Sequence, residues 1–230
     1  MNITKPLSWP TTEEEAIAIQ EELRYRVITE DRLDFVRCVA GVDVDYNYED
    51  NYCQGAVVVL SFPKLKVIDK AIARRPISFP YVPGLLSFRE LPVILDAFEE
   101  LRIVPDLVLC DGHGIIHPRR VGIASHLGIL TDVPTIGVGK SFLLGKYEPV
   151  PDIRGSWQPL KDGKEVIGAV VRTRRKVKGI YVSVGHKISL ETAIDYVVQC
   201  APKYRLPETT RKADKFASIK REHRINVKRG

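Results

Sequence analysis

The spacing of the apolar runs changes partway along the chain, and that change limits the folds open to it. Three strand-like runs, "RCVAGVDVDY" (37–46), "CQGAVVVLSF" (53–62) and "KVIDKAIARR" (66–75), are separated by only a few residues each. Such short connections reverse the chain and predict an antiparallel meander. From residue 106 the pattern alternates, with "DLVLCD" as a strand, "RRVGIASHLGIL" as a helix and "VPTIGVGK" as a strand. That interval suits right-handed β-α-β crossovers and hence parallel strands. "EVIGAVVRT" and "GIYVSVG" read as a further hairpin. The chain is therefore predicted to form one α/β domain over 1–230, with antiparallel hairpins leading into parallel strands and helices flanking a mixed sheet. Helices are predicted over 12–29, where Thr12 and Glu15 form a capping box, near 87–102, over 189–201 capped by Ser189, and over 208–222.

The 230 residues can bury a sizeable core, and 44% hydrophobic with 28% charged content is that of a soluble globular protein. No apolar run approaches the roughly 18–20 residues needed to cross a bilayer. "MNITKPLSWPTTEEE" lacks a signal-peptide hydrophobic region, so the chain is expected in the cytoplasm, away from membranes. Cys38, Cys53, Cys110 and Cys200 show no C-x-x-C spacing and read as buried, reduced thiols. The net charge of +6 is uneven, with ten Lys/Arg against three Asp/Glu from Lys203 to Gly230. A basic tail at about 219–230 and the cluster "RTRRKVK" at 172–178 fit either solvated surface or a footprint for a phosphate backbone.

Acidic residues stand at costly places. Asp43 and Asp45 share one face of the apolar run "VAGVDVDYN", and burying such a charge needs compensation. Asp111 ends the strand "LVLCD" just before a glycine turn, at the carboxyl edge where sheets of this kind collect ligands. Glu90 opens the helix that follows the loop "SFPYVPGLLSFRELP" (78–92). Three carboxylates on separate elements, with no thiol or histidine cage, favour a hard ion, Mg²⁺ with Mn²⁺ as a substitute. Lys140 reads as a cation placed near them. "GVGKS" resembles the end of a Walker A loop, but Pro134 stands where that loop needs its first glycine. In "HGIIH", His117 reads as a hydrogen-bonding or substrate residue rather than a zinc ligand.

"GVDVDYN", "PYVPGLLSFRE", "DGHGIIHPRRVGIASHLGI" and "TIGVGKSFLLG" together resemble the endonuclease V family, over about residues 10–220. The resemblance implies an RNase H-like fold and a metal-dependent nuclease. It would act on deaminated bases, inosine above all, and cut the second phosphodiester bond 3′ to the lesion, leaving 3′-hydroxyl and 5′-phosphate ends. It also implies roles for residues. Asp43, Glu90 and Asp111 match the metal-binding carboxylates, Lys140 a lysine at the scissile phosphate, and Asp214 an acid that assists the metal site. Asp45 departs from the family pattern. Tyr81 matches the aromatic of a wedge entering the duplex, with Pro83 and Arg89 beside it among the substrate contacts. Gly84, Leu86, Gly112, His117, Gly122, Ile123 and Leu143 match the pocket for the extruded base. The partner implied is inosine-containing DNA, with RNA as a second candidate, and the chain is expected to be a monomer. Two other readings share parts of this pattern: a lesion-binding module that does not cut, and an RNase H-like nuclease acting on RNA–DNA hybrids.

Overall fold

The computed structural model describes residues 3–218. One sheet of eight strands runs in the order β3-β2-β1-β4-β5-β8-β7-β6. The meander is β1 (Cys38–Asn47), β2 (Tyr52–Ser61) and β3 (Val67–Pro76), antiparallel throughout. β4 (Leu107–Asp111) lies parallel to β1, and β5 (Thr135–Gly139) parallel to β4. The hairpin of β7 (Glu165–Val171) and β8 (Ile180–His186) joins antiparallel to β5 through β8. The mixed sheet is thus the one the changing interval predicts.

Strand alternation feeds two cores. Leu107 and Leu109 face one side, with Val58 and Leu60 beside them; Val108 and Cys110 face the other, with Val57 and Val59. Helices α2 (Leu86–Glu99) and α3 (Ile123–Thr131) cover the second side with Leu91, Leu95, Phe98 and Leu127. Helices α4 (Leu190–Cys200) and α5 (Glu208–Ala217) cover the first with Ile194, Val197 and Ala213. α5 comes so close to β1 that a Cβ on Gly41 would sit 2.1 Å from the Thr209 carbonyl oxygen. Only glycine allows that approach, and it brings Asp214 of α5 towards the end of β1. All four cysteines are free and buried. No described helix is long and apolar enough to cross a membrane.

Three helix ends differ from the sequence reading by more than two residues for reasons the contacts supply. α1 (Glu13–Leu23) has the capping box of Thr12 and Glu15, but the helix stops at Leu23 and a 3₁₀ turn follows at Arg24–Arg26. Beyond it the Ile28 amide donates to His186 Nδ1 at 3.2 Å and the Ile28 carbonyl accepts from Lys187, so this segment is fastened to β8. α2 stops at Glu99 because Asp69 Oδ2 takes the amides of Arg102 and Ile103 at 2.8 and 2.9 Å. α3 begins only at Ile123, since the Gly122 amide is already bonded to the Gly114 carbonyl. α5 is described to Ala217; the predicted extension through 222 and the basic tail lie outside the described residues. The strand β6 (Trp157–Asp162) was not anticipated. It holds Pro159, tolerable because β6 is an edge strand with only β7 as neighbour in the sheet.

Candidate active site

Asp43 stands past the middle of β1, where its neighbour β4 has ended in Asp111, and both side chains lie on the α5 side of the sheet. Burial pushes the Asp43 carboxyl up to about 7, the charges of Asp111 and Asp214 push the same way, and Lys140 opposes them. Glu90, in the second turn of α2, is pushed up to about 8, first by burial and next by Asp43; the Tyr46 hydroxyl, donating to Glu90 Oε1 at 3.2 Å, pulls it back. Asp111 is raised by burial, against the ion pair that Lys140 makes with it. Burial works against the Lys140 charge, but its pairing with Asp111 outweighs that and raises it. The five groups Asp43, Glu90, Asp111, Asp214 and Lys140 are therefore one electrostatic unit drawn from β1, α2, β4, α5 and the loop after β5.

Among the described residues no three His, Cys, Asp or Glu side chains are drawn together as a ready set of metal ligands. The acids stand off from one another, and Lys140 rests on Asp111. Their chemistry still fits a hard divalent ion. The donors are all carboxylate oxygens, and Asp43 and Glu90 each hold protons more tightly because of the other acids. A cation would relieve that excess negative charge.

Beside the acids lies a cavity of about 210 Å³. Gly84, Leu86, Gly112, His117, Gly122, Ile123 and Leu143 all line it, and so do Tyr81 and Pro83. Arg89 does not line it. Its guanidinium is buried behind the loop, donating to the Phe79 carbonyl at 2.7 Å and lying 4.6 Å over the Tyr46 ring. Arg89 is thus placed as a strut beneath the loop. Phe79, 4% exposed, packs with Phe88, Leu85 and Ala16, while Tyr81 two residues on is 70% exposed. The loop is anchored at its base and projects an aromatic at its tip.

Gly84 holds the other end of this loop at φ +83°, a conformation that suits glycine. Its carbonyl accepts from three donors: His117 Nε2 at 2.9 Å, Gln20 Nε2 at 3.0 Å and Arg119 at 3.2 Å. The Arg119 amide donates to His117 Nδ1, which leaves the ring proton on Nε2. Burial lowers His117 to about 4, so the ring is neutral near pH 7. Gln20, Ser87, Val82 and His113 also line the cavity and were not found by sequence reasoning. Gln20 is 1% exposed, yet it is satisfied by the Gly84 and Val121 carbonyls and by Arg119 Nε. Tyr46, the partner of Glu90, was missed as well; its signal was an aromatic directly after the acids of "VDVDY".

The mixed sheet, with acids converging where β4 ends beside Asp43 of β1, defines a protein of RNase H-like fold, the fold of the solved structures it matches. The endonuclease V family model matches residues 21–215, and the chain belongs to that family. Endonuclease V from Trichormus variabilis is 60% identical over 219 residues, spanning 95% of this chain and 99% of that one. The crystal structure of endonuclease V from Streptomyces avermitilis superposes with a TM-score of 0.88 at 46% identity, covering 94% of this chain and 96% of that one. Endonuclease V from Ciona intestinalis, solved with a 24mer DNA containing an inosine followed by a ribo-adenosine, gives 0.77 at 34% identity, over 89% and 95% of the two chains. Family membership carries a nuclease activity, the hydrolysis of phosphodiester bonds.

Proposed function

We propose that this chain is a Mg²⁺-dependent endonuclease that extrudes inosine from nucleic acid and cuts the second phosphodiester bond on its 3′ side, leaving 3′-hydroxyl and 5′-phosphate ends. The observation that carries this reading is how the cavity and the acids are joined. Gly112 lines the cavity and Asp111 precedes it; Leu86 lines it and Glu90 lies one turn further along α2; Leu143 lines it and Lys140 begins the same loop. Asp111, Glu90 and Lys140 are thus each tied to a wall of the cavity by a short stretch of chain or a single helical turn, about 5–6 Å. A base seated in the cavity fixes which phosphate meets the acids. The cavity is smaller than the roughly 300–1,000 Å³ pockets of drug-sized ligands and suits a single extruded base.

Asp43, Glu90 and Asp111, with Asp214 beside them, would hold the divalent ion, which supplies an acidified attacking water and charge neutralisation at the leaving oxygen. Lys140 offsets negative charge on the phosphate under attack. Tyr81 fills the gap left by the extruded base, on a loop already fixed by Phe79, Arg89 and Gly84, so little order is lost on insertion. The neutral His117 holds Gly84 and stays uncharged beside the base. Asp43→Ala and Asp111→Ala are each expected to abolish cleavage while inosine-specific binding persists in Ca²⁺. Substantial Mg²⁺-dependent cutting by Asp111→Ala would contradict the assignment. Unimpaired inosine binding by a wild type that never cuts would favour a lesion-binding module instead.

A further inference from the structure

An open groove of about 1100 Å³ lies next to the base cavity, between the loop after β5 and the edge strand β6. The loop is fastened to that edge, because Lys146 and Lys161 exchange backbone hydrogen bonds of 2.7 and 2.8 Å. Three aromatic rings line the groove. Tyr181 of β8 lies 6.0 Å from Phe142 and 6.1 Å from Tyr147, at interplanar angles of 65° and 76°. In an edge-on pair at least one ring keeps both faces clear of the other, so the cluster retains open aromatic faces. Phe142 is 52% and Tyr147 42% exposed, so both rings are partly open to solvent.

The groove continues from the base cavity. Leu143 of the cavity wall follows Phe142 directly, and the ring of His113, another wall residue, is 6.5 Å from Tyr181. Its charges are mixed. Lys146 and Lys161 line it, as do Glu148 and Asp162, but Asp162 is already paired with Arg120 at 2.8 Å. Lys140, two residues before Phe142, pairs with Asp111. Open aromatic faces between lysines, running on from a site sized for one base, are the elements of a stacking platform for single-stranded nucleic acid. We propose that this groove seats unpaired nucleotides flanking the extruded base, each stacked on an aromatic face. The inference rests on the base-cavity reading above and extends the site by a second contact.

The test is binding of labelled single-stranded DNA and RNA oligonucleotides in Ca²⁺, each with one central inosine or adenosine, with flanks of one or eight nucleotides. Phe142→Ala/Tyr147→Ala should weaken binding of long-flank oligonucleotides by roughly 5- to 150-fold for each ring removed, as expected for loss of about 1–3 kcal/mol of stacking per base. It should weaken the short-flank inosine oligonucleotide far less, and Phe142→Trp/Tyr147→Trp should retain long-flank binding. Unchanged affinity at both lengths would overturn the groove, and so would equal losses at both lengths, which mark a general disturbance of the fold. A wild type that binds inosine no better than adenosine would overturn the base cavity instead. The gain from long flanks is read on both oligonucleotides, so the two failures are distinguishable. If only the DNA or only the RNA series shows the aromatic dependence, the groove holds for that sugar alone.

Discussion

Tyr81 is a large ring, 70% exposed, on a segment whose neighbours Phe79 and Leu85 are buried. A wedge is needed most where the base must leave a paired stack and least where it is already unpaired. Tyr81→Ala is therefore expected to slow cleavage of duplex inosine roughly 5- to 150-fold more than cleavage of a single strand of the same sequence, from about 1–3 kcal/mol of base stacking. Its melting temperature should hardly change, because removing an exposed ring leaves no cavity in the core. Equal losses on both substrates would make Tyr81 a general contact, and a large fall in melting temperature would make it a structural residue. Tyr81 was drawn from the sequence by its match to the family's wedge aromatic, in a loop with Pro80 and Pro83 on either side. Gln20 was not. A glutamine in an amphipathic helix reads as a solvent-facing residue, and only the folded positions of the Gly84 and Val121 carbonyls and of Arg119 show why it can be buried.

At the scale of elements, the periodicity of each strand in the meander and of α4 was enough to place them, since local pattern and tertiary packing agree there. The misplaced ends have a different origin. Asp69 on β3 reaches across to the segment after α2 and takes two of its amides, a contact thirty-odd residues away in the chain that no local pattern encodes. Asp69→Ala would leave both amides without their acceptor and is expected to cost on the order of 1–3 kcal/mol. Burial works to raise the Asp69 carboxyl, but the amides of Ile103 and Arg102 outweigh it and hold it below the usual carboxylate range. The folded state therefore binds this proton less readily than the unfolded chain. Asp69 contributes its full stability above the unfolded pKa of about 4 and loses it as pH falls through the lower folded value. Thermal melts of wild type and Asp69→Ala should differ steadily from pH 5 to 7, and the gap should narrow as pH falls below about 4 and through the lower folded value. A gap that does not narrow at all between pH 5 and pH 3 would show that the contact does not depend on the ionised carboxylate. The strand β6 went unseen for the opposite reason: Pro159 weakens its pattern, and only its place at the sheet edge makes the proline harmless.

For the whole molecule, the arrangement of acids and cavity follows from topology. Asp43 of β1 and the carboxyl end of β4 are adjacent because the two strands are parallel in this register, α5 is drawn onto β1 at Gly41, and α2 packs on the opposite face of the sheet immediately after the projecting loop. The sequence showed the acids and the loop separately; their convergence depends on strand order, which spacing alone does not determine. The central claim is that this convergence makes an inosine-directed, metal-dependent nuclease, and one assay addresses it directly. Matched DNA and RNA oligonucleotides carrying a single inosine, or adenosine in its place, are incubated with the protein in Mg²⁺ or in EDTA, and the product ends are mapped. The expected result is one cut in the inosine strands, at the second phosphodiester 3′ to inosine, in Mg²⁺ and not in EDTA. Cutting that ignores the inosine, or that continues at full rate in EDTA, would contradict the account.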